Sequence, residues 1–311
     1  MAKLKSIKVF APASVSNVGP GFDMMGFALN KPGDEVQLSL NGGSEIKIKK
    51  ITGDGGKLPY DADKNTSTAA IKSLLKKFDL KIGIDVVINK KMGIGSGLGS
   101  SAASAVAGVF AANKLLNLKL TKHELLEHAI AGEFIASKGI HADNVAPALF
   151  GGFVLIRGYD PIDVIQIDYP KDLFCTVVYP EIEIKTCEAR ELLDENVPLK
   201  IAIAQAGNAS GLITGLLTKN FDLISRSIID HIAEPKRAKL IPCYDEIRNA
   251  ALKNGALNCN ISGSGPTMFS FSDSEVKAKK IGRAMLKAVV RSGLKGKIYV
   301  SRINDKGPIV L

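Results

Sequence analysis

The residues with the most chemistry in them run from Gly93 to Ala103, GIGSGLGSSAA. Glycines stand at every second position, Gly93, Gly95, Gly97 and Gly99, and Ser100, Ser101 and a run of small residues to about Ala112 follow at once. Glycine is needed where the chain takes positive φ or where a ligand must come close to the backbone. A helix starting straight after such a loop aims unpaired N–H groups and the positive end of its dipole into it, which suits a phosphate. Asp85 to Met92, DVVINKKM, reads as a strand, so the context is strand, glycine loop, helix. The Walker pattern is excluded because no lysine follows the last glycine, and the dinucleotide pattern because the glycines recur every two residues. The remaining protein-kinase signatures are missing too.

Glu133 is the first candidate outside that loop. On the helix expected from Lys122, residues Leu126, Ala129, Ile130 and Phe134 make an apolar stripe, and Glu133 falls on or beside it. A carboxylate buried there needs a cation or a metal, whereas one at the margin reaches solvent. Magnesium on nucleotide phosphates takes one or two protein oxygens, and Ser101 with Glu133 makes such a pair. Asn17 and Asp23 flank Gly19, Pro20 and Gly21 in a segment read as irregular, Pro12 to Leu29, and serve either as turn residues or as ligands. HADN places His141, Asp143 and Asn144 together, with Asp143 or Asn144 equally suited to cap the helix that follows. Thr186 to Arg190 and Glu234 to Arg237 each end in an arginine. That side chain grips a carboxylate with two hydrogen bonds, although a solvated surface position is its default.

These residues need a large scaffold, and 311 residues provide one or two domains with a full core. The composition, 46% hydrophobic and 23% charged, is that of a globular protein. A net charge of +10 favours anionic partners, yet basic residues do not cluster with aromatics and tryptophan is absent, so nucleotides fit better than nucleic acid. The four cysteines are scattered, without metal or disulfide spacing. No signal peptide or membrane-length apolar run is evident, and a cytoplasmic protein is expected.

Strands are expected at Ile7–Phe10, Glu35–Leu40, Ile46–Lys50 and Ile82–Asn89, and helices at Ser67–Phe78 and from Lys122 to about Ser137, the latter opened by a Thr121/Glu124 capping box. Gly151–Ile156 and Val164–Ile167 read as a hairpin, and YPKDL, Tyr169–Leu173, as a hinge. Beyond it, strands Phe174–Tyr179, Ala256–Ile261, Thr267–Phe271 and Lys297–Ser301 alternate with helices Val197–Leu217, Cys243–Lys253 and Glu275–Arg291. That order resembles a split β-α-β, ferredoxin-like unit.

Three blocks together, PASVSNVGPGFD, GIGSGLGSSAA and NISGSGPT, resemble the GHMP small-molecule kinases and span nearly the whole chain. SNVGPGFDMMGFAL, HADNVAPALFGG, TCEAR and EPKR are similar to the homoserine kinase branch. One departure is Gly93, where a proline often opens the loop. The resemblance implies an α+β fold of two domains: an N-terminal ribosomal-S5-like ATP-binding domain, 1–169, and a C-terminal ferredoxin-like domain, 170–311. It implies ATP-dependent phosphorylation of the L-homoserine hydroxyl with Mg2+, in a homodimer. Lys91, Gly93, Ile94, Gly95, Ser96, Gly97, Leu98, Gly99, Ser100, Ser101, Ala102 and Ala103 would hold the nucleotide, with Asn65 near the adenosine. Ser101 and Glu133 would bind the metal. Asn17, Asp23, His141, Asn144, Arg190 and Arg237 would hold homoserine, and Thr186 would sit near the transferred phosphoryl. Whether Asp143 or Asn144 matches the base of mevalonate-type relatives is ambiguous by counting, and the amide, Asn144, is the reading adopted. A kinase for another alcohol, or a catalytically silent sensor on the same scaffold, are the competing expectations.

Overall fold

The computed structural model describes residues 4–137, 139 and 141–311, so Met1–Lys3 of the N-terminal stretch read for a signal peptide lie outside the described residues. A seven-stranded sheet takes β1 (Ser6–Ser16), β2 (Met25–Leu40), β3 (Ile46–Thr52), β4 (Ile84–Asn89), β5 (Phe153–Tyr159) and β6 (Ile162–Ile167). Its seventh strand, β11 (Ile309–Val310), returns from the end of the chain to pair with β1. The second sheet is built from β7 (Phe174–Pro180), β8 (Asn260–Ile261), β9 (Met268–Ser272) and β10 (Gly296–Arg302). Its order, β10-β7-β9-β8 with antiparallel neighbours, is the 4-1-3-2 arrangement of a ferredoxin-like unit, as the strand–helix pattern predicts.

The segment Pro12 to Leu29 is less irregular than expected. β1 continues to Ser16 and β2 begins at Met25, pairing Val15 with Phe27, so only 17–24 form a loop. A register shift between Pro12 and Ser14 absorbs the donor that Pro12 lacks, and the ladder resumes beyond it.

Four helices cover the first sheet: α1 (Thr66–Lys77), α2 (Ser100–Leu115), α3 (Lys122–Ser137) and α4 (Ala142–Phe150). Every residue of α2 is buried except Ser101, Phe110 and Lys114, because α1, α3, α4 and strands β1 and β2 all pack on it. That crowding explains its small residues: a Cβ on Gly108 would lie 2.8 Å from the Ser67 carbonyl. The capping box of α3 is formed, with Thr121 N–H donating to Glu124 at 2.7 Å and Glu124 N–H to Thr121 Oγ1 at 3.3 Å. Among the described residues no helix is long and apolar enough to cross a membrane.

The second half of the chain adds α5 (Thr186–Glu191), α6 (Leu199–Leu217), α7 (Phe221–Ser227), α8 (Glu234–Arg237), α9 (Tyr244–Lys253) and α10 (Glu275–Arg291), of which α10 packs on the second sheet and α9 on α10. One aromatic cluster ties the sheets together: Phe27 of β2 lies 4.7 Å from Phe153 of β5 and 5.2 Å from Phe271 of β9, ring centre to ring centre. All three are fully buried, each worth about 2–3 kcal/mol, so the sheets share a core rather than merely touching. Tyr169, in the connecting segment, packs on Phe153 at 5.3 Å, and Leu173 N–H donates to Pro170 O at 3.1 Å.

Candidate active site

Between the sheets lies a cavity of about 360 Å3. The glycine loop leaves β4 and forms one wall, with Gly95, Gly97 and Gly99 at φ of +64°, +79° and +62°. Gly97 also needs its missing side chain, since a Cβ there would stand 2.5 Å from Ser262 O and 2.8 Å from Gly265 O. The turn from Ser262 to Thr267, carried by the second sheet, clasps the loop at this point. Ser262 Oγ donates to Gly97 O at 2.6 Å and Thr267 N–H donates to Ser96 O at 3.2 Å. Gly93 is explained by a third neighbour, because a Cβ at 93 would lie 2.6–2.8 Å from the Tyr179 ring and hydroxyl of β7.

Not every residue expected in the nucleotide loop faces the cavity. Lys91 turns away and pairs with Glu35, which also binds Lys8 at 2.6 Å. Burial works against that carboxylate, but the two ammoniums outweigh it and hold its pKa at about 2. Its neighbour Lys90 lines the cavity instead, since successive side chains of an extended chain point to opposite faces. Leu98 and Ala102 are buried in the core and offer only main chain. The Ala103 N–H is already used, donating to Gly99 O at 2.8 Å.

Beneath the loop, Lys90 forms a buried ion pair with Asp34 and donates to Ser100 O at 2.8 Å and Ser104 Oγ at 2.7 Å. Asp34 accepts from Ser100 Oγ at 2.7 Å and from Lys91 N–H at 2.8 Å. The charges are thus fully hydrogen-bonded, and the first turn of α2 is held from below. Ser96 lines the cavity, and its buried hydroxyl has no partner among the described residues.

At the start of α2, Ser101 Oγ donates to Glu133 Oε1 at 2.8 Å, and Glu133 lies inside rather than reaching solvent. Burial pushes its pKa up to about 7, against the Ser101 hydroxyl and the Lys90 ammonium. Among the described residues no group of three or more His, Cys, Asp or Glu is placed to hold a metal ion. Two oxygen donors are nevertheless what magnesium takes from a protein when phosphates supply the others.

The other end of the cavity is made of side-chain ions. Asn17 accepts from Asp23 N–H at 3.1 Å and donates to Gly263 O at 2.9 Å, so the loop 17–24 is tied to the second sheet. Arg190, on α5, donates to both Asp23 oxygens at 2.6 and 2.9 Å. His141 Nδ1 stands 4.0 Å from Asp23 and 3.4 Å from the Arg190 guanidinium, and desolvation lowers its pKa despite the Asp23 charge. Arg237 is buried, donating to Gly263 O at 2.9 Å and Ala189 O at 3.3 Å. Both guanidiniums lie over the Phe22 ring, 5.5 and 5.0 Å from its centre.

Asp143 and Asn144 are not caps. They lie in the first turn of α4, with His141 in the cap position and no side-chain cap bond. Asn144 accepts from Ser14 Oγ at 2.8 Å and donates to Ser16 Oγ at 2.9 Å. Asp143 is buried, and desolvation together with the Asp23 charge pushes its pKa up to about 7, opposed by a Ser16 hydrogen bond. Asn65 caps α1, accepting from Ser67 N–H at 3.1 Å, and lines the cavity beside Leu58 and Pro59. Thr186, the first residue of α5, is exposed at the rim.

Residue-by-residue reading missed Ser14, Ser16, Phe22, Asp34 and Lys90. Only the alternation in PASVS, which puts Ser14 and Ser16 on one side of a strand, offered a usable signal.

The family profile described as "GHMP kinases N terminal domain" matches residues 65–152, and "GHMP kinases C terminal" matches residues 212–291. The chain is 46% identical to the homoserine kinase of Chlorobium phaeobacteroides strain DSM 266, over 99% of this chain and 100% of that one. It is 38% identical to the homoserine kinase of Methanococcus maripaludis strain C5, over 88% and 89% of the two chains. The crystal structure of homoserine kinase from Cytophaga hutchinsonii superposes with a TM-score of 0.98 at 49% identity, covering 100% of this chain and 99% of that one. A mevalonate kinase of L. major, at 16% identity and a TM-score of 0.74 over 96% and 95% of the chains, shares the fold.

Proposed function

The chain belongs to the GHMP kinases, on their homoserine kinase branch, and from that premise we propose that it transfers the γ-phosphoryl of ATP to the hydroxyl of L-homoserine. The products are O-phospho-L-homoserine and ADP, a step of threonine biosynthesis. The observation that carries this reading is that a phosphate-type loop with an oxygen pair and a cluster able to hold a zwitterion open on one cavity.

The loop's main-chain amides and the start of α2 offer hydrogen bonds and a positive dipole to the triphosphate, and the unpartnered Ser96 hydroxyl fits a phosphate oxygen. Asn65, beside Leu58 and Pro59, borders the adenosine. Ser101 and Glu133 would hold Mg2+, which when bound neutralises charge on the phosphates. Glu133 must then be ionised, and Lys90 favours that form.

At the substrate end, the Asp23–Arg190 pair opens to admit homoserine: Asp23 and Asn17 take the ammonium, Arg190 and Arg237 the carboxylate. His141 borders the same pocket, and Thr186 at the rim approaches the transferred phosphoryl. Asn144, held by Ser14 and Ser16, orients the acceptor hydroxyl. Phosphoryl transfer needs alignment and charge stabilisation more than a strong base, so the amide suffices. If Asp143→Ala abolished turnover while ATP binding and the fold survived, and Asn144→Ala had little effect, the carboxylate would take the role instead. We place the protein in the cytoplasm as a homodimer, which sedimentation would test.

The deciding experiment is ADP release with homoserine, mevalonate, galactose and shikimate. Turnover with homoserine alone is expected. A preference for mevalonate or galactose overturns the substrate, and no turnover with any of the four favours a sensor.

A further inference from the structure

The two arginines of the substrate end stand on different short helices, Arg190 on α5 and Arg237 on α8, and they share one ring. The Phe22 ring centre lies 5.5 Å from Arg190 Cζ and 5.0 Å from Arg237 Cζ. A guanidinium is drawn to the negative face of an aromatic ring, most strongly where water is scarce. The ring is carried on a fixed piece of backbone. Gly21 O accepts from the N–H groups of Met24 and Met25 at 2.9 and 2.8 Å, so the chain turns tightly around Phe22. Position 21 has no room for a side chain, since a Cβ there would lie 2.6 Å from Met25. On either side of the turn, Gln205 Nε2 donates to Pro20 O at 3.1 Å and Tyr159 Oη to Asp23 O at 2.7 Å.

The arginines differ in what else holds them. Arg237 is buried, and its bonds to Gly263 O and Ala189 O use Nη1 and Nε, which leaves Nη2 uncommitted among the described residues. The Arg190 side chain is 43% exposed, and among the described residues only its Nη2 is engaged, by Asp23 and, at 3.4 Å, by His141. The two cations oppose each other. Desolvation lowers the Arg237 pKa, Asp23 counters that shift and the Arg190 charge adds to it. When Asp23 turns to a bound ammonium, Arg190 loses its ion partner. The Phe22 ring and His141 are then what keep it near Arg237.

We propose that Phe22 is a positioning residue for the acceptor: its ring holds the two guanidiniums as a pair, so that one carboxylate can meet both. Phe22 itself need not touch the substrate. This rests on the kinase reading, in which Arg190 and Arg237 take the carboxylate of homoserine. The ring offsets the repulsion between the arginines without supplying a counter-charge. A carboxylate in its place would do so too, but would then compete with the substrate for both guanidiniums. A leucine would fill much of the same space and offer no π face, leaving Arg190 free to swing towards solvent when Asp23 lets it go. The cost should therefore fall on binding of the acceptor, not on the transfer step or on the nucleotide.

The test is steady-state ADP release by the full chain as wild type, Phe22→Leu, Phe22→Tyr, Arg190→Ala and the double variant Phe22→Leu/Arg190→Ala. Phe22→Leu should raise the KM for homoserine about tenfold and leave kcat and the KM for ATP within about twofold. Phe22→Tyr keeps the π face and should stay within about threefold of wild type. In the Arg190→Ala background the leucine should add less than about threefold, because one of the two cations it serves is already gone. An unchanged KM for homoserine in Phe22→Leu overturns the proposal. So does an equal rise in the KM for ATP, which would mark general damage to the loop, or a tyrosine variant as poor as the leucine one. A full tenfold loss on top of Arg190→Ala would place the effect of Phe22 elsewhere than on that arginine, and overturns the pairing. No turnover of homoserine by wild type overturns the kinase reading and this inference with it, whereas each of the other failures leaves the kinase reading standing.

Discussion

On the assignment proposed above, the two ends of the main cavity would recognise charge by different means. At the nucleotide end the recognising groups are main-chain amides, fixed by three left-handed glycines, by the Ser262–Thr267 turn and by the buried Lys90–Asp34 pair. At the substrate end they are side-chain ions, several half-exposed, that neutralise one another: Arg190 already holds Asp23 at 2.6 Å. The first arrangement is preorganised, so binding costs little rearrangement there. The second must exchange an internal partner for the substrate's own charges. It therefore discriminates: a ligand lacking either charge leaves Asp23 or the arginines unpaired.

The contrast can be broken at its rigid side first. Gly97→Ala forces a side chain against Ser262 O at positive φ, and is expected to cost at least about a hundredfold in kcat/KM along with roughly 2–4 kcal/mol of stability. Steady-state kinetics and a urea midpoint read both, and a near-wild-type enzyme would show that the loop is not held by the turn. Glu133→Gln keeps the shape and removes the charge, so kcat should fall about a hundredfold while the midpoint stays or rises. Titration of activity with Mg2+ then separates lost metal affinity from lost folding.

At the adaptable end, Arg190→Ala should raise the KM for homoserine about tenfold to a hundredfold and leave the KM for ATP within about twofold. Equal effects on both would mean that the two ends are not independent.

Asp143 sharpens the comparison through pH. Around it stand Asp23, Arg190, Tyr159, Glu133 and the Ser16 hydroxyl. With its pKa raised from 3.8 to about 7, the folded protein holds this proton more tightly than the unfolded chain does. Its contribution to stability therefore falls as pH rises through that window. Asp143→Asn should remove the decline, for a relative gain of roughly 2–4 kcal/mol between pH 4 and pH 8 in urea midpoints. Parallel curves for mutant and wild type would refute the shift. The smallest effect belongs to the exposed Lys57–Glu183 pair at 2.6 Å, where Lys57→Ala should change stability by less than about 1 kcal/mol.

The difference between the two ends also governs how much could be read in advance. The loop was legible because its chemistry is local: alternate glycines and an immediate small-residue helix declare themselves in eleven consecutive letters. Helices such as Glu275–Arg291 were legible for the same reason, through their periodicity. The irregular reading of Pro12–Leu29 was too broad because pairing between β1 and β2, set across the sheet, extends both strands up to the turn residues at 17–24. Lys91 was chosen over Lys90 because only the direction of the strand separates two adjacent lysines.

By itself the order of amino acids determined the left-handed glycine turns, the helix that must follow them, and the ferredoxin-like alternation of the second half. Each depends on backbone preference or periodicity acting over a few residues. Only the folded chain decided that Asp34 would sit under Lys90, that Ser14 and Ser16 would hold Asn144, and that Gly263 would join Asn17 to Arg237. Those pairs are separated by 26 to 246 positions, and the shared core around Phe27, Phe153 and Phe271 brings them together. Packing of distant surfaces obeys shape and burial across the whole molecule, which no short stretch of sequence encodes.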